Sequence, residues 1–473
     1  MWNRLSNFQT KSIAEGALIL GISALISRVL GLIRDGLLMA KFGASPDLDV
    51  YFTAFRVPDL VYNVLIGGGI VVAFLPLFSE TYSKEKQRAW WFTNNTLNIF
   101  LFLLIFLCLA LFIFTPSIIR LIAPGFNFQQ RTQTILLTRL MFLSPIFFGL
   151  SSIFSGILQY FNRFLVYSIC PILYNLGIVL GIIFISPYFG ILGVALGVIL
   201  GAALHFFIQI PSAISCGFRY KPIFDFKTPE LKRVFTLMVP RIFGMAAQQI
   251  NLIFMTAIAS MLSSGSITIF NLANNIQYFP IGIIGISWAV AGFPRLAATG
   301  AKDKKEEFVG IFFSVFRKIL FLIIPISFLI FILKAQIIII ISQLGALILG
   351  TSQFSNVAVR LTAASLGLFC LGLWAASVIP LILRTFFALQ DTKTPTLITI
   401  FAVTLNIILS FTLVELLKSP NYFQFLFKEF FKMEGIEQIE VLGLPLAFSL
   451  SSIFQCILLL VFLLKKLTDT RPL

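Results

Sequence analysis

The sequence predicts an all-α polytopic membrane protein of about twelve transmembrane helices, arranged as two six-helix pseudo-symmetric lobes around a central cavity. Three observations predict this. Of 473 residues, 58% are hydrophobic and only 11% charged, with a mean hydropathy of +0.98, whereas soluble domains are near a quarter charged. Long apolar stretches alternate with short polar loops. Basic residues collect on every second loop.

A pass across about 30 Å of hydrocarbon needs roughly 20 apolar residues. Twelve segments qualify: 14–40, 49–80, 91–115, 133–160, 164–186, 190–216, 232–262, 266–298, 308–333, 357–388, 395–417 and 441–464. Segment 335–350 is too short to span and is expected to be interfacial or re-entrant. The loop 418–440 interleaves Phe423, Phe425, Phe427, Phe430 and Phe431 with Lys428, Glu429, Lys432 and Glu434, the pattern of a helix lying in the interface.

Of the 35 Lys and Arg, 20 fall on the side of the N-terminus, and 7 on the other: Lys41, Arg120, Arg131, Lys334, Lys418, Lys428 and Lys432. The excess of positive charge on cytoplasmic loops places both termini in the cytoplasm and requires an even number of passes. The net charge of +16 is therefore a topology signal with some attraction to anionic lipid, not a nucleic-acid footprint. The first apolar stretch carries Arg28, Arg34 and Asp35 and lacks a small-residue cleavage region, so it reads as a helix of the protein and not as a signal peptide.

Cys108, Cys170, Cys216, Cys370 and Cys456 are scattered singly, without metal-ligand or disulfide spacing, and His205 is the only histidine. No catalytic constellation, metal site or nucleotide motif is present, which argues against an enzyme and against ATP as direct driver.

Internal repetition divides the chain into lobes 1–220 and 221–473. Ser27-Arg28-Val29-Leu30-Gly31 resembles Pro240-Arg241-Ile242-Phe243-Gly244, 213 residues on. Phe52, Ile66-Gly67, Ala73 and Pro76 match Phe270, Ile284-Gly285, Ala291 and Pro294 at offset 218. Leu158-Gln159 and Asn175 match Leu389-Gln390 and Asn406 at offset 231. Six helices per repeat leave both repeats in one orientation, related by an axis along the membrane normal.

An ionisable group at mid-membrane costs about 2.5–3.5 kcal/mol on insertion scales, so it needs a partner or water. Arg28 and Asp35, seven residues apart, lie about 10 Å apart on one helix face with Gly31 between them, and Arg34 projects away from that line. In the second segment Asp49, Arg56 and Asn63 share a stripe, with Asp59 beside it; Arg241, Gln248 and Asn251 mark the seventh segment, and Asn271, Asn274, Asn275 and Tyr278 the eighth. Four polar stripes are best explained by a shared hydrophilic cavity, the alternative being pairs that merely staple helices. Arg139, Arg317 and Arg360 are left to stapling or snorkelling. Excess arginine suits an anionic substrate, because the planar guanidinium grips phosphate through bidentate bonds. Gly67-Gly68-Gly69 and Pro76 weaken the second segment and permit bending.

Residues 27–35 (SRVLGLIRD), Phe42-Gly43-Ala44, Asp49, residues 54–58 (AFRVP) and Ala73-Phe74-Leu75-Pro76 resemble the opening of the MurJ (MviN) family. Ala123-Pro124-Gly125-Phe126, Asn162-Arg163-Phe164, Ser264-Gly265-Ser266, Phe279-Pro280 and residues 390–395 (QDTKTP) continue the match in order. The resemblance implies a lipid II flippase of the multidrug/oligosaccharidyl-lipid/polysaccharide exporter superfamily. Such a protein carries the undecaprenyl-pyrophosphate-linked peptidoglycan precursor from the inner to the outer leaflet by alternating access. It further implies that Arg28 and Arg34 engage the pyrophosphate, accompanied by Ser27 and Asp35. The chain departs from the family at Tyr62-Asn63, where a basic residue is common, at Gly67 in place of an acid, and at Asn275 in place of an arginine. It has twelve helices where a typical member has fourteen. Arg241 is expected to supply the missing positive charge.

The expected substrate site is thus Ser27, Arg28, Arg34, Asp35, Arg56, Asp59, Asn63, Arg241, Asn274 and Asn275. Asp391 and Asn406 are a weaker candidate cation site, with a helix cap as the favoured role of Asp391. No cofactor is expected; membrane potential or a monovalent cation would supply the energy. Expected partners are the lipid-linked precursor, membrane lipids and cell-wall synthesis proteins, in a bacterial inner membrane. Two alternatives remain open: an exporter of another lipid-linked oligosaccharide or of drugs, and a non-transporting membrane scaffold.

Overall fold

The computed structural model describes residue 9, residues 13–300 and residues 305–468, excepting the side chains of residues 13, 14, 17, 68, 69, 71, 72, 239–241, 243, 244 and 468. All regular elements among them are helices. In chain order they are α1 (Ile13–Phe42), α2 (residues 46–84), α3 (Lys86–Ile122), α4 (Phe128–Tyr160), α5 (Phe164–Phe189), α6 (Ile191–Ser215), α7 (Pro229–Ser260), α8 (Ser266–Gly300), α9 (Lys305–Leu349), α10 (Asn356–Ala388), α11 (Lys393–Lys418), the short α12 (Tyr422–Phe430) and α13 (Gly443–Thr468). Without α12 these are the twelve predicted segments. Nine are long and apolar enough to cross a membrane among the described residues. The other three, α1, α2 and α7, are those in which the sequence placed Arg28, Asp35, Arg56, Asp59 and Arg241. The protein is multi-pass.

Helix starts follow their capping chemistry. At α4 the Asn127 side chain accepts from the Gln130 N–H (2.9 Å), while the Gln130 side chain accepts from the Asn127 N–H (3.0 Å), satisfying two orphan donors reciprocally. Ser355 caps α10 by accepting from the Ala358 N–H.

The structure corrects one segment. Residues 335–350 are neither re-entrant nor a separate interfacial piece: α9 runs unbroken for 45 residues to Leu349. No glycine or proline intervenes between Pro325 and Gly345, so nothing interrupts the backbone bonds where the apolar count was restarted.

The chain divides into two compact units. The first comprises residues 1–42, 46–253 and 344–352, the second residues 43–45, 254–343 and 353–473. The first unit's core is aromatic: Phe74, Phe78 and Phe92 are fully buried, and Phe78 packs on Tyr82, Trp90 and Tyr160 with ring centroids 5.1–5.5 Å apart. His205 lies here too, its Nδ1 2.7 Å from the Ser151 hydroxyl. Phe308, Phe312 and Phe386 anchor the second core. Phe106 and Phe321, by contrast, are 65% and 79% exposed, as a surface solvated by lipid requires. All five cysteines are free thiols, four of them buried.

Both units carry the same local devices. The second helix of each repeat is π-wound over corresponding stretches, Tyr62–Ile70 in α2 and Ile281–Ile286 in α8, in keeping with the 218-residue offset. The Gly67 region is thus re-wound where the sequence predicted weakness. The α4–α5 and α10–α11 turns are also alike. Asn162 and Gln390 both take φ +56; Arg163 N–H bonds Leu158 O, and Asp391 N–H bonds Phe386 O. The shared geometry equates these turns at an offset three residues shorter than the 231 that letter matching assigned.

The first unit extends beyond the repeat boundary expected at 220 because the following segment is bonded onto α3. Asn94 donates to Arg219 O (3.0 Å) and accepts from the Lys221 N–H (2.8 Å). Asn95 exchanges two bonds with the Asp225 backbone (2.8 and 2.7 Å), and Asn98 donates to Lys221 O and Ile223 O. Arg88 forks onto Glu230 (3.0 and 3.1 Å). Asn95→Ala leaves two backbone groups to water, at about 1–3 kcal/mol. Limited trypsin digestion is expected to cut this variant after Arg219 and Lys227 several-fold faster than the parent.

Candidate functional site

The first unit gathers the predicted charges around Arg34. Its Nε and Nη2 donate to Asp35 Oδ1 at 3.0 and 2.8 Å, and its Nη1 donates to Asn175 Oδ1 at 3.1 Å. Asp35 is 4% exposed. Asn175, on α5, donates in turn to Ser27 O (3.1 Å), Ser27 Oγ (3.2 Å) and Pro171 O (3.2 Å). Ser23 donates to Ser168 one turn away.

The stripe that meets α5 is therefore Ser23, Ser27, Gly31 and Arg34, spaced four, four and three. A Cβ on Gly31 would stand 3.9 Å from Asn175 Oδ1. This is one residue around the helix from the predicted Arg28–Gly31–Asp35 line. Arg34 projects away from that line, as expected, but its long side chain swings back to Asp35. Arg28 is half-buried.

On α2, Asp49 and Arg56 are buried and Asp59 is half-buried. The charges of Arg34 and Arg56 both act on Asp59, and Tyr51, Tyr62 and Tyr174 lie within the same field. The α1 and α2 stripes thus converge in one polar cluster. Asn63 bonds its own helix, donating to Asp59 O at 2.9 Å where the winding changes.

In the second unit, Asn274 and Asn275 are half-buried, and Asn274 Oδ1 accepts from Gln277. The side chain of Arg241 lies outside the described residues. Asp391 and Asn406 do not converge, being separated by 15 residues, about 22 Å along α11. Asp391 instead receives Lys466 Nζ (2.8 Å), the Thr394 N–H (3.0 Å) and the Thr394 hydroxyl (2.9 Å). It caps α11 and ties it to α13. Among the described residues no three His, Cys, Asp or Glu stand close enough to hold a metal ion.

A family model described as lipid II flippase MurJ matches residues 38–472. The chain belongs to the MurJ family. Ser27–Asp35 precede the matched stretch, so membership rests on the rest of the chain. A probable lipid II flippase MurJ of Buchnera aphidicola subsp. Acyrthosiphon pisum (strain APS) is 32% identical over 391 residues, covering 81% of this chain and 75% of that protein. Its counterpart in Borreliella burgdorferi is 29% identical over 395 residues, covering 82% and 75%. A solved structure titled lipid II flippase MurJ, inward closed conformation, superposes with TM-score 0.75 at 25% identity over 95% of this chain and 89% of that one. An inward-facing multidrug MATE transporter of the MOP superfamily also reaches 0.75, at 14% identity over 95% and 98%, which speaks for the fold alone.

Within this MurJ-family chain, sequence reasoning missed Asn175 as a site residue. The sequence marks it only as the repeat mate of Asn406; a lone amide in an apolar helix is the available signal. The Asp391 arrangement makes its own prediction. Burial alone would raise this carboxyl's pKa, but the bonds from Lys466 and Thr394, with the charge of Lys466, outweigh it and hold the pKa below the ordinary value. A depressed folded pKa means stability present above the unfolded value, about 3.9, and lost as pH falls through the folded one. Thermal unfolding across pH 2–6 is expected to show this acid loss in the parent and a flatter profile in Asp391→Asn.

Proposed function

We propose that this chain is a lipid II flippase that moves the undecaprenyl-pyrophosphate-linked peptidoglycan precursor from the inner to the outer leaflet of a bacterial inner membrane by alternating access. The observation that carries the reading is Arg34. Three of its N–H donors engage Asp35 and Asn175, which leaves donors on both terminal nitrogens. A pyrophosphate arriving at this site meets a guanidinium already oriented, so little rotamer entropy is lost on binding. Asp35 balances the charge while the site is empty. Ser27, Arg28, Arg56, Asp59 and Asn63 complete the head-group contacts on the first unit; Arg241, Asn274 and Asn275 are proposed as head-group residues on the strength of the sequence alone. The prenyl tail stays in lipid.

Both termini are cytoplasmic in this reading, and the protein is a transporter and not an enzyme. Membrane potential supplies about 2.3 kcal/mol per charge per 100 mV, and a monovalent cation is the other candidate driver. Cell-wall synthesis proteins are the partners proposed.

Cells depleted of their lipid II flippase test this directly. The parent gene is expected to restore growth, and Arg28→Ala, expressed at the same level, is expected not to. Failure of the parent despite correct membrane insertion would assign the cluster to another lipid-linked sugar. Rescue by Arg28→Ala would remove Arg28 from the site.

A further inference from the structure

The second unit contains an apolar cleft that the flippase reading does not use. Its roof is α12, and the roof is held at both ends. At the start, Asn421 accepts from the Gln424 N–H (2.8 Å) and donates to Leu416 O (2.6 Å), while the buried Gln424 side chain donates to Leu417 O (2.8 Å). At the end, Arg360 of α10 donates to Lys432 O and to Glu434 O. Along α12 the rings of Phe423, Phe427 and Phe431 follow one another at 5.5 and 5.1 Å. These rings close one side of a cleft of about 340 Å³ whose other walls include Phe331 of α9, Leu368 and Leu371 of α10, and Leu446 of α13. That volume lies within the range of small-ligand sites, about 300–1,000 Å³. Every lining residue is leucine or phenylalanine.

One charge stands beside this hydrocarbon. Lys334 Nζ sits 4.2 Å from the Phe331 ring centroid and 5.9 Å from that of Phe431, both rings of the cleft wall. Its one hydrogen bond among the described residues goes to Phe331 O (3.3 Å), and among these residues it makes no ion pair. Ring faces and a carbonyl orient an ammonium but do not neutralise it. An apolar slot with an unneutralised cation at its wall is complementary to an anionic amphiphile. A neutral hydrocarbon would leave the charge uncompensated, and a zwitterionic lipid brings its own cation to the same place.

We infer that this cleft binds one acyl chain of an anionic glycerophospholipid from the surrounding bilayer, with the lipid phosphate on Lys334. The α9 surface beside it carries Phe328 and Ile332, 66% and 54% exposed, so the chain reaches the cleft without leaving lipid. The bound lipid ties α9, α10, α12 and α13 together.

Native mass spectrometry of the full-length protein, with phosphatidylglycerol and phosphatidylcholine of matched chains, tests the inference. The parent is expected to retain phosphatidylglycerol at least tenfold better than phosphatidylcholine. Lys334→Ala is expected to abolish that preference and Lys334→Arg to keep it. Leu446→Trp, which fills the cleft, is expected to weaken retention of both lipids. Melting temperatures of the variants identify any that misfold, and the remaining variants then decide. The inference is overturned if Lys334→Ala keeps the parent's preference, or if Leu446→Trp retains lipid as the parent does. Retention of undecaprenyl phosphate with no retention of phosphatidylglycerol overturns the choice of a phospholipid.

Discussion

Arg34→Ala is expected to abolish rescue of flippase-depleted cells and to lower the melting temperature at the same time. Both effects follow from what the guanidinium holds. Asp35 is 4% exposed and loses two charge-assisted bonds, while Asn175 loses the donor to its carbonyl oxygen. Removing one partner of a buried ion pair costs about 3 kcal/mol, since the other charge remains desolvated. Loss of a phosphate grip of similar size corresponds to about 100-fold in affinity. The double variant Arg34→Ala/Asp35→Asn separates the two consequences. It removes the carboxylate charge that Arg34 pairs with, so stability is expected to recover by more than half while transport stays absent. Recovery of transport in the double variant would make Arg34 a staple for Asp35 and nothing more.

Gly197→Val is expected to disrupt the first unit. A Cβ at Gly197 would lie 2.8 Å from Gly181 Cα and 3.0 Å from Gly177 O, and one at Gly181 would lie 2.5 Å from Gly197 Cα. The neighbours on both sides are backbone, with no flexible side chain to yield. Small residues let α5 and α6 approach backbone to backbone, which is how helices gain packing energy in lipid. Overpacking such a contact costs about 3 kcal/mol or more, seen as a fall of roughly 5–10 °C in melting temperature. The effect reaches the site because Asn175 lies two residues before Gly177. Any displacement of α5 carries the Arg34 acceptor with it, so transport is expected to fall even in molecules that remain folded. Gly310→Ala is the control: no atom lies within 4 Å of a Cβ there, and its backbone is ordinary helix inside α9. Thermal melts and rescue of the two variants side by side check this prediction.

Residue types and helical periodicity were enough to reveal the twelve helices and the charges at mid-membrane. Each apolar run long enough to cross hydrocarbon must be a helix, since no other open structure satisfies its backbone there. The same reasoning fails at 335–350: the segment is too short to span by itself, yet nothing there breaks a helix and α9 runs through it. The site was legible as a set of charges and not as a set of bonds. Periodicity locates a side chain's root to within about a third of a turn, and the arginine side chain is long enough to override that angle. Asn94, Asn95 and Asn98 escaped notice because their partners are backbone groups more than 120 residues away, which no local pattern encodes.

By itself the sequence determined that this protein lives in a bilayer, how many helices it offers, and that arginines and carboxylates sit where lipid cannot solvate them. Only the tertiary structure decided that Arg34 meets Asn175 across 141 residues, that Asp391 serves Lys466 and an α11 cap, and that α12 roofs an apolar cleft. The division has one physical cause. Solvation by lipid acts on each segment separately and leaves its mark on composition, whereas a hydrogen-bond partner is chosen by how helices pack, through contacts that distant residues contribute jointly.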